Sequence, residues 1–298
     1  MDIDRKFETN LSAASATASV DSTLETPDYV WFKQQMLKKS GIDLNQYKQA
    51  QMHRRLMGLV ERLGCKDFKE YFERLEAKPE EYAIFLDRMT INVSELFRNP
   101  EKWRELEEII LPDMLRAKRP LKVWSAGCSY GAEPYTLAII LDKLSPGVKH
   151  TIDATDLDRT ILERAKAGRF TQVDIKQIKQ PDVARYFNEK PSAGGMADLE
   201  MRFEVKDEIR RRVNFQQQNL LADRFNEGYD LICCRNVVIY FTDEAKDKLY
   251  KRFASSLKPS GVLFVGGTER IFGYQDIGFT MPVPFFYRRM GSANAAAA

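Results

Sequence analysis

Five short segments of this 298-residue chain hold residue types that can grip and react a small ligand. In AGCSYG, Gly127 and Gly131 lack a Cβ, so a ligand can approach the backbone closely, although an ordinary tight turn uses the same residues. Asp156 ends the next apolar run and is followed by Leu157 and Asp158; a carboxylate there can accept from both hydroxyls of a ribose, or it can cap the following helix. Asn219 and Leu220, in VNFQQQNLL, join a polar group suited to the edge of an adenine to an apolar one suited to its face. Arg235, Asn236 and Tyr240, in RNVVIYF, come directly after the apolar run YDLICC, where open α/β sheets bind ligands. In TINVSELFRN, residues 90–99, Asn92, Ser94 and Arg98 are interspersed with Ile91, Val93, Leu96 and Phe97, an oddly apolar pattern for a simple linker.

The rest of the inventory narrows the chemistry. The histidines are His53 and His150, too few and too far apart for a zinc site or a serine–histidine–aspartate triad. Cys65, Cys128, Cys233 and Cys234 form no Cys-x-x-Cys pair, which reads as a reduced protein. Any reaction here must therefore work without histidine or metal. Lysine plus arginine (46) barely exceed aspartate plus glutamate (43), so the overall field is weak and a dedicated nucleic-acid binder is disfavoured. Attraction to an anionic partner must come from local clustering. No stretch reaches the roughly 18 apolar residues of a membrane span, and no basic segment followed by an apolar one opens the chain, so the expected location is the cytoplasm.

Such residues need a scaffold that gathers the ends of several strands, and the apolar pattern supplies one. With 44% apolar residues the chain can bury one large core and a small second one. Residues 1–27, rich in Ser, Ala and Thr, are expected to be a disordered tail. Over 28–90 apolar residues recur at helical spacing, with Gly41 and Gly64 as stops and Pro79 as a start, which predicts an all-helical domain. Its second helix carries a core stripe of Met52, Leu56, Leu59, Val60 and Leu63, and a basic, exposed stripe of Gln51, Arg55, Gly58 and Arg62. Residues 91–119 form an interdomain segment and an amphipathic helix with Trp103, Leu106, Ile109 and Ile110 on its apolar side. Over 120–290 strands and helices alternate, predicting a mostly parallel, doubly wound α/β sheet. The rhythm breaks at about 169–212, where a Pro191 to Gly195 loop and the alternating MRFEV suggest a small antiparallel insert. Residues 291–298 look like a linker or tag-like tail.

Taken in order, the five segments resemble those of the CheR family of chemotaxis receptor methyltransferases, over about 28–290. The resemblance implies a class I S-adenosylmethionine-dependent methyltransferase domain, Rossmann-like, behind an N-terminal helical domain and carrying a small β-subdomain. By position, Asn92, Ser94, Arg98, Glu133, Asp156, Asn219, Leu220, Arg235 and Asn236 would line the S-adenosylmethionine pocket beside Gly127 of the first loop. Tyr240 and Arg98 would face the reacting centre. The pattern departs from the family's at Ala132 and Tyr130, where an acid and a threonine are common, and at GGTE, 266–269, in place of GHSE.

The implied reaction moves a methyl group from S-adenosylmethionine to glutamate carboxylates of chemotaxis receptors, giving methyl esters and S-adenosylhomocysteine during adaptation. The implied partners are the receptors' cytoplasmic domains, with no nucleic acid and no membrane insertion, the enzyme being recruited to membrane receptor arrays. A glutamate, of ordinary pKa ~4.3, is already ionised and needs no general base, in keeping with the scarcity of histidine. Alignment of carboxylate and methyl, which can contribute about 7 kcal/mol or more, is the main task, with Arg98 or Tyr240 as the orienting group. The stripe of Gln51, Arg55 and Arg62 either docks an acidic receptor helix or is an ordinary solvated face. Two rivals fit less well. Base-amino methyltransferases carry an Asn/Asp-Pro-Pro-aromatic loop where this chain has Arg235, Asn236, Val237 and Val238, and a silent cofactor-binding scaffold would not need Arg98 and Tyr240.

Overall fold

The computed structural model describes residues 25–90, 92–117, 119–191 and 200–291. Most of the expected N-terminal tail, Ile91, the 192–195 part of the loop and nearly all of the C-terminal tail lie outside the described residues.

Four helices pack first: α1 (Pro27–Ser40), α2 (Gln49–Arg62), α3 (Phe68–Ala77) and α4 (Pro79–Thr90). Proline at its first turn pre-sets the opening of α1, and Gly41, at φ 70°, closes it in the left-handed conformation. Asp67 caps α3 by accepting from the Lys69 and Glu70 amides. Tyr29, Phe32, Leu56, Phe68, Tyr71 and Phe85 are fully buried between the four. Met52, Leu56, Leu59 and Val60 turn inward as their spacing requires, while Leu63 is only partly buried.

Next come α5 (Pro100–Glu105), a π turn (Leu106–Ile110) and α6 (Leu111–Leu115). The apolar face expected here is corrected at Ile109, which is half exposed, whereas Leu106 and Ile110 are buried. A π turn spreads its residues over a wider circle, so the ordinary helical spacing loses phase across it.

The α/β domain runs β1 (Lys122–Ala126), α7 (Ala132–Leu144), β2 (Thr151–Asp156), α8 (Arg159–Ala167), β3 (Arg169–Phe170), α9 (Gln180–Tyr186), β4 (Phe187–Glu189), β5 (Phe203–Val205), α10 (Asp207–Arg210), β6 (Val213–Gln217), β7 (Tyr229–Cys234), α11 (Asp243–Ser256), β8 (Leu257–Val265), β9 (Phe279–Val283) and β10 (Phe286–Arg289). Its main sheet has the order β6-β2-β1-β7-β8-β10-β9, with β6 to β8 parallel and β10 antiparallel to both neighbours. The interrupting segment forms a separate antiparallel sheet, β3-β5-β4. From β1 the sheet grows one way through β2 and the other way through β7, so the carboxyl ends of β1 and β7 flank the point where strand order reverses. Crevices form there because the helices following these strands leave on opposite faces.

Candidate active site

A cleft opens at that reversal point. Its lining brings together Asn92, Ser94, Arg98, Gly127, Glu133, Asp156, Asn219, Leu220, Arg235, Asn236 and Tyr240, drawn from segments spread over almost 150 positions.

The floor is the turn after β1. The amides of Gly127 and Cys128 both donate to the Thr155 carbonyl (2.8 and 2.9 Å), tying the turn to the end of β2. Gly127 sits at φ 78°, and a Cβ there would lie 2.5 Å from Val237 Cγ2, so the glycine is required by the turn after β7 crowding against it. Asp156 accepts from the Ser129 amide (2.8 Å) and the Asp158 amide (3.1 Å), and burial pushes its pKa up to about 6. The capping role belongs to Asp158, which accepts from Thr160 and Ile161 at the start of α8. Asp156 is thereby left facing the cleft.

One wall is an ionic pair buried among aromatic rings. Glu133, in the first turn of α7, accepts from Ser125 Oγ (2.8 Å) and lies 3.7 Å from Arg235. Burial raises its pKa and the Arg235 charge opposes that rise. Burial likewise lowers the Arg235 pKa, against the pull of Glu133. The Arg235 guanidinium lies over the rings of Trp103 and Phe264 and donates to the Arg98 carbonyl (2.8 Å). Much of its capacity is thus spent within the protein, on the segment that carries Arg98.

That segment is held under strain. Phe97 and Asn99, on either side of Arg98, both have left-handed backbones (φ 55° and 59°), a conformation that costs a bulky residue on the order of 1–3 kcal/mol. Trp103 Nε1 donates to the Arg98 carbonyl (2.9 Å), and the Phe97 amide donates to Thr136 Oγ1 (3.0 Å). The half-buried Arg98 side chain reaches back to the Val93 carbonyl (3.0 Å). Asn92 accepts from Ser129 Oγ (3.0 Å) and approaches Asp158 Oδ2 (3.3 Å), and the Tyr130 hydroxyl contacts both the Ser94 carbonyl and Asp174 Oδ1. The tyrosine at one of the departures from the family pattern therefore ties the segment to the inserted subdomain.

Opposite lie Leu220 and Asn219. Leu220 is buried at the cleft edge, but Asn219 commits its side-chain oxygen to the Leu221 amide (2.9 Å) and its Nδ2 toward the Gly41 carbonyl (3.4 Å). Gln218, not anticipated from sequence, lines the cleft with a buried Oε1 that has no partner among the described residues. Tyr47 and Met89 of the helical domain also line it, and nothing in their local sequence marks them. Glu269, the acid of GGTE, accepts from the amides of Asn236 and Gly266 (2.7 Å each) and so holds Asn236 at φ 62°. The Tyr240 ring faces the Arg55 guanidinium, 4.7 Å from its centroid. The expectation that the basic stripe is simply exposed is corrected at Gln51 and Arg55, both half buried; this ring and the Met89 carbonyl (3.3 Å) draw Arg55 in. Arg62 is exposed.

The donor set suits a nucleoside bearing an amino-acid tail: carboxylates for hydroxyls and an ammonium, an arginine for a carboxylate, an apolar edge for a base. The sequence profile described as CheR methyltransferase, SAM binding domain matches residues 92–283. The chain belongs to the CheR methyltransferase family. The CheR all-alpha domain matches 27–90. A chemotaxis protein methyltransferase of Listeria innocua is 38% identical over 262 residues, covering 87% of this chain and 96% of that one. Chemotaxis protein methyltransferase 1 of Pseudomonas aeruginosa is 34% identical over 257 residues, covering 82% and 90%. As a CheR methyltransferase the protein uses S-adenosylmethionine and acts in chemotaxis. No helix among the described residues is long and apolar enough to cross a membrane.

Proposed function

We propose that this protein esterifies glutamate side chains of chemotaxis receptors, working in the cytoplasm and recruited to receptor arrays. The observation that carries the reading is one cleft uniting Arg98 and Tyr240 with the acidic cofactor groups, opening beside a groove lined by Arg54, Arg55, Arg62 and Arg88 with only Asp87 against them. S-adenosylmethionine, when bound, supplies an electrophilic methyl group on a sulfonium.

The chain's own residues bind, orient and exclude water. Asp156 takes the ribose hydroxyls, Leu220 covers the base, and Glu133 meets the ammonium of the amino-acid tail. Gly127 opens the floor to close backbone approach, while Asn92, Ser94, Arg235 and Asn236 close the walls. Arg98 presents parallel donors that fix a carboxylate, and Tyr240 offers a hydroxyl with no partner among the described residues. An ionised glutamate needs no proton removed, so aligning it and stripping its water are the main contributions. Arg55 and Arg62 attract the acidic receptor helix.

Incubation with methyl-labelled S-adenosylmethionine and a receptor cytoplasmic fragment tests this. Base-labile label on glutamates is the expected result. Label transferred to RNA, or none to protein, would overturn it.

A further inference from the structure

Gly58 stands well inside α2, on the face between Arg55 and Arg62. A glycine there weakens a helix, since alanine is the better helix former by a wide margin. Nothing in the folded chain demands it. Its backbone is ordinary helix, it is exposed, and a Cβ built on it meets no atom within 4 Å. The absent side chain leaves a notch in a groove whose four arginines have no ion-pair partner among the described residues. That groove shares Asn92 and Val93 with the cleft, so whatever lies in it runs past the mouth.

We propose that Gly58 is where α2 receives the backbone of an acidic substrate helix, the missing side chain setting how near that helix comes to the cleft. A glutamate carboxylate stands only two methylenes from its Cα, so its helix must sit close for the carboxylate to reach Arg98 and Tyr240. Helix axes pack about 8–10 Å apart according to the side chains between them, and a glycine at the contact permits the near end of that range. The occupant is an acidic helix with a small residue opposite Gly58. The arginines on both sides select its charge, and the notch selects its shape. The proposal rests on a receptor helix being the substrate.

The test compares Gly58→Ala, Gly58→Leu and Arg62→Glu, each assayed with labelled S-adenosylmethionine and a receptor cytoplasmic fragment. Gly58→Ala is expected to raise the melting temperature by about 1–3 °C through helix propensity, yet to raise KM for the fragment. Gly58→Leu should raise that KM by about tenfold or more, as overpacking a close contact does. Affinity for S-adenosylhomocysteine should stay at the wild-type value in all three. If Arg62→Glu raises KM while both Gly58 variants leave it unchanged, charge-guided docking stands and the close contact at Gly58 is refuted. If none of the three changes KM, the groove is not the docking face and both ideas fail together.

Discussion

The Arg55 guanidinium lies over the Tyr240 ring, 4.7 Å from its centroid, and so joins the basic face of the helical domain to the cleft of the α/β domain. Because the ring is held from this side, its hydroxyl can be removed without losing the contact. Tyr240→Phe is therefore expected to lower kcat by roughly tenfold or more while leaving S-adenosylhomocysteine affinity and melting temperature near wild type. Steady-state kinetics with a receptor fragment decide it, and an unchanged kcat would take the hydroxyl out of the reaction.

Arg98→Lys keeps the charge and loses the planar fork. If Arg98 orients the substrate, single-turnover rate falls by a large factor with little change in cofactor affinity. A fall in cofactor affinity instead would assign it to the cofactor's own carboxylate, and a fall in melting temperature alone would leave it tying the domains together.

Charge reversal at the groove should act on encounter. Arg55→Glu with Arg62→Glu is expected to reduce receptor methylation, most strongly at low salt, with cofactor affinity intact. Wild-type rates at low salt in the double variant would reduce the stripe to a solvated face.

Asp156 has a pKa of about 6 in the folded protein, raised by burial above its ordinary carboxyl value of 3.8. With a raised folded pKa, the stability tied to its neutral form is fully present below pH 3.8 and lost as pH climbs through 6, on the order of 3 kcal/mol. Asp156→Asn should flatten that part of the pH–stability curve of the free protein. Acceptance from two ribose hydroxyls favours the ionised form, so S-adenosylhomocysteine should bind more weakly, and raise the melting temperature less, below pH 6. Calorimetric titration across pH 5–8 measures this; a flat profile with unchanged affinity in Asp156→Asn removes the residue from the cofactor site.

Gly127→Ala meets two obstacles, a φ of 78° and a Cβ 2.5 Å from Val237. The left-handed backbone costs about 1–2 kcal/mol and the clash adds to it. Thermal unfolding should show a loss that Val237→Ala restores only in part. Full restoration would mean the backbone angle is unstrained, and none would mean the clash is relieved elsewhere.

Residue type and spacing were enough to draw an all-helical unit, the alternation of a parallel sheet and the small antiparallel insert, because burial imposes periods of 3.6 and 2 on the chain. They also named Asp156, Arg235 and Tyr240, since polar residues straight after buried strands have few other places to go. They misread Ile109, because a π turn leaves no mark in the pattern. Whether Asp156 or Asp158 caps α8 was undecidable from two neighbouring acids and turned on which carboxylate faces the Thr160 amide. Tyr47 and Met89 entered the cleft, and Arg55 was drawn onto Tyr240, only when the helical domain packed on the sheet. Local sequence sets what a segment can be, but contacts between residues almost 200 positions apart depend on how two cores meet, and no periodicity within either segment records that.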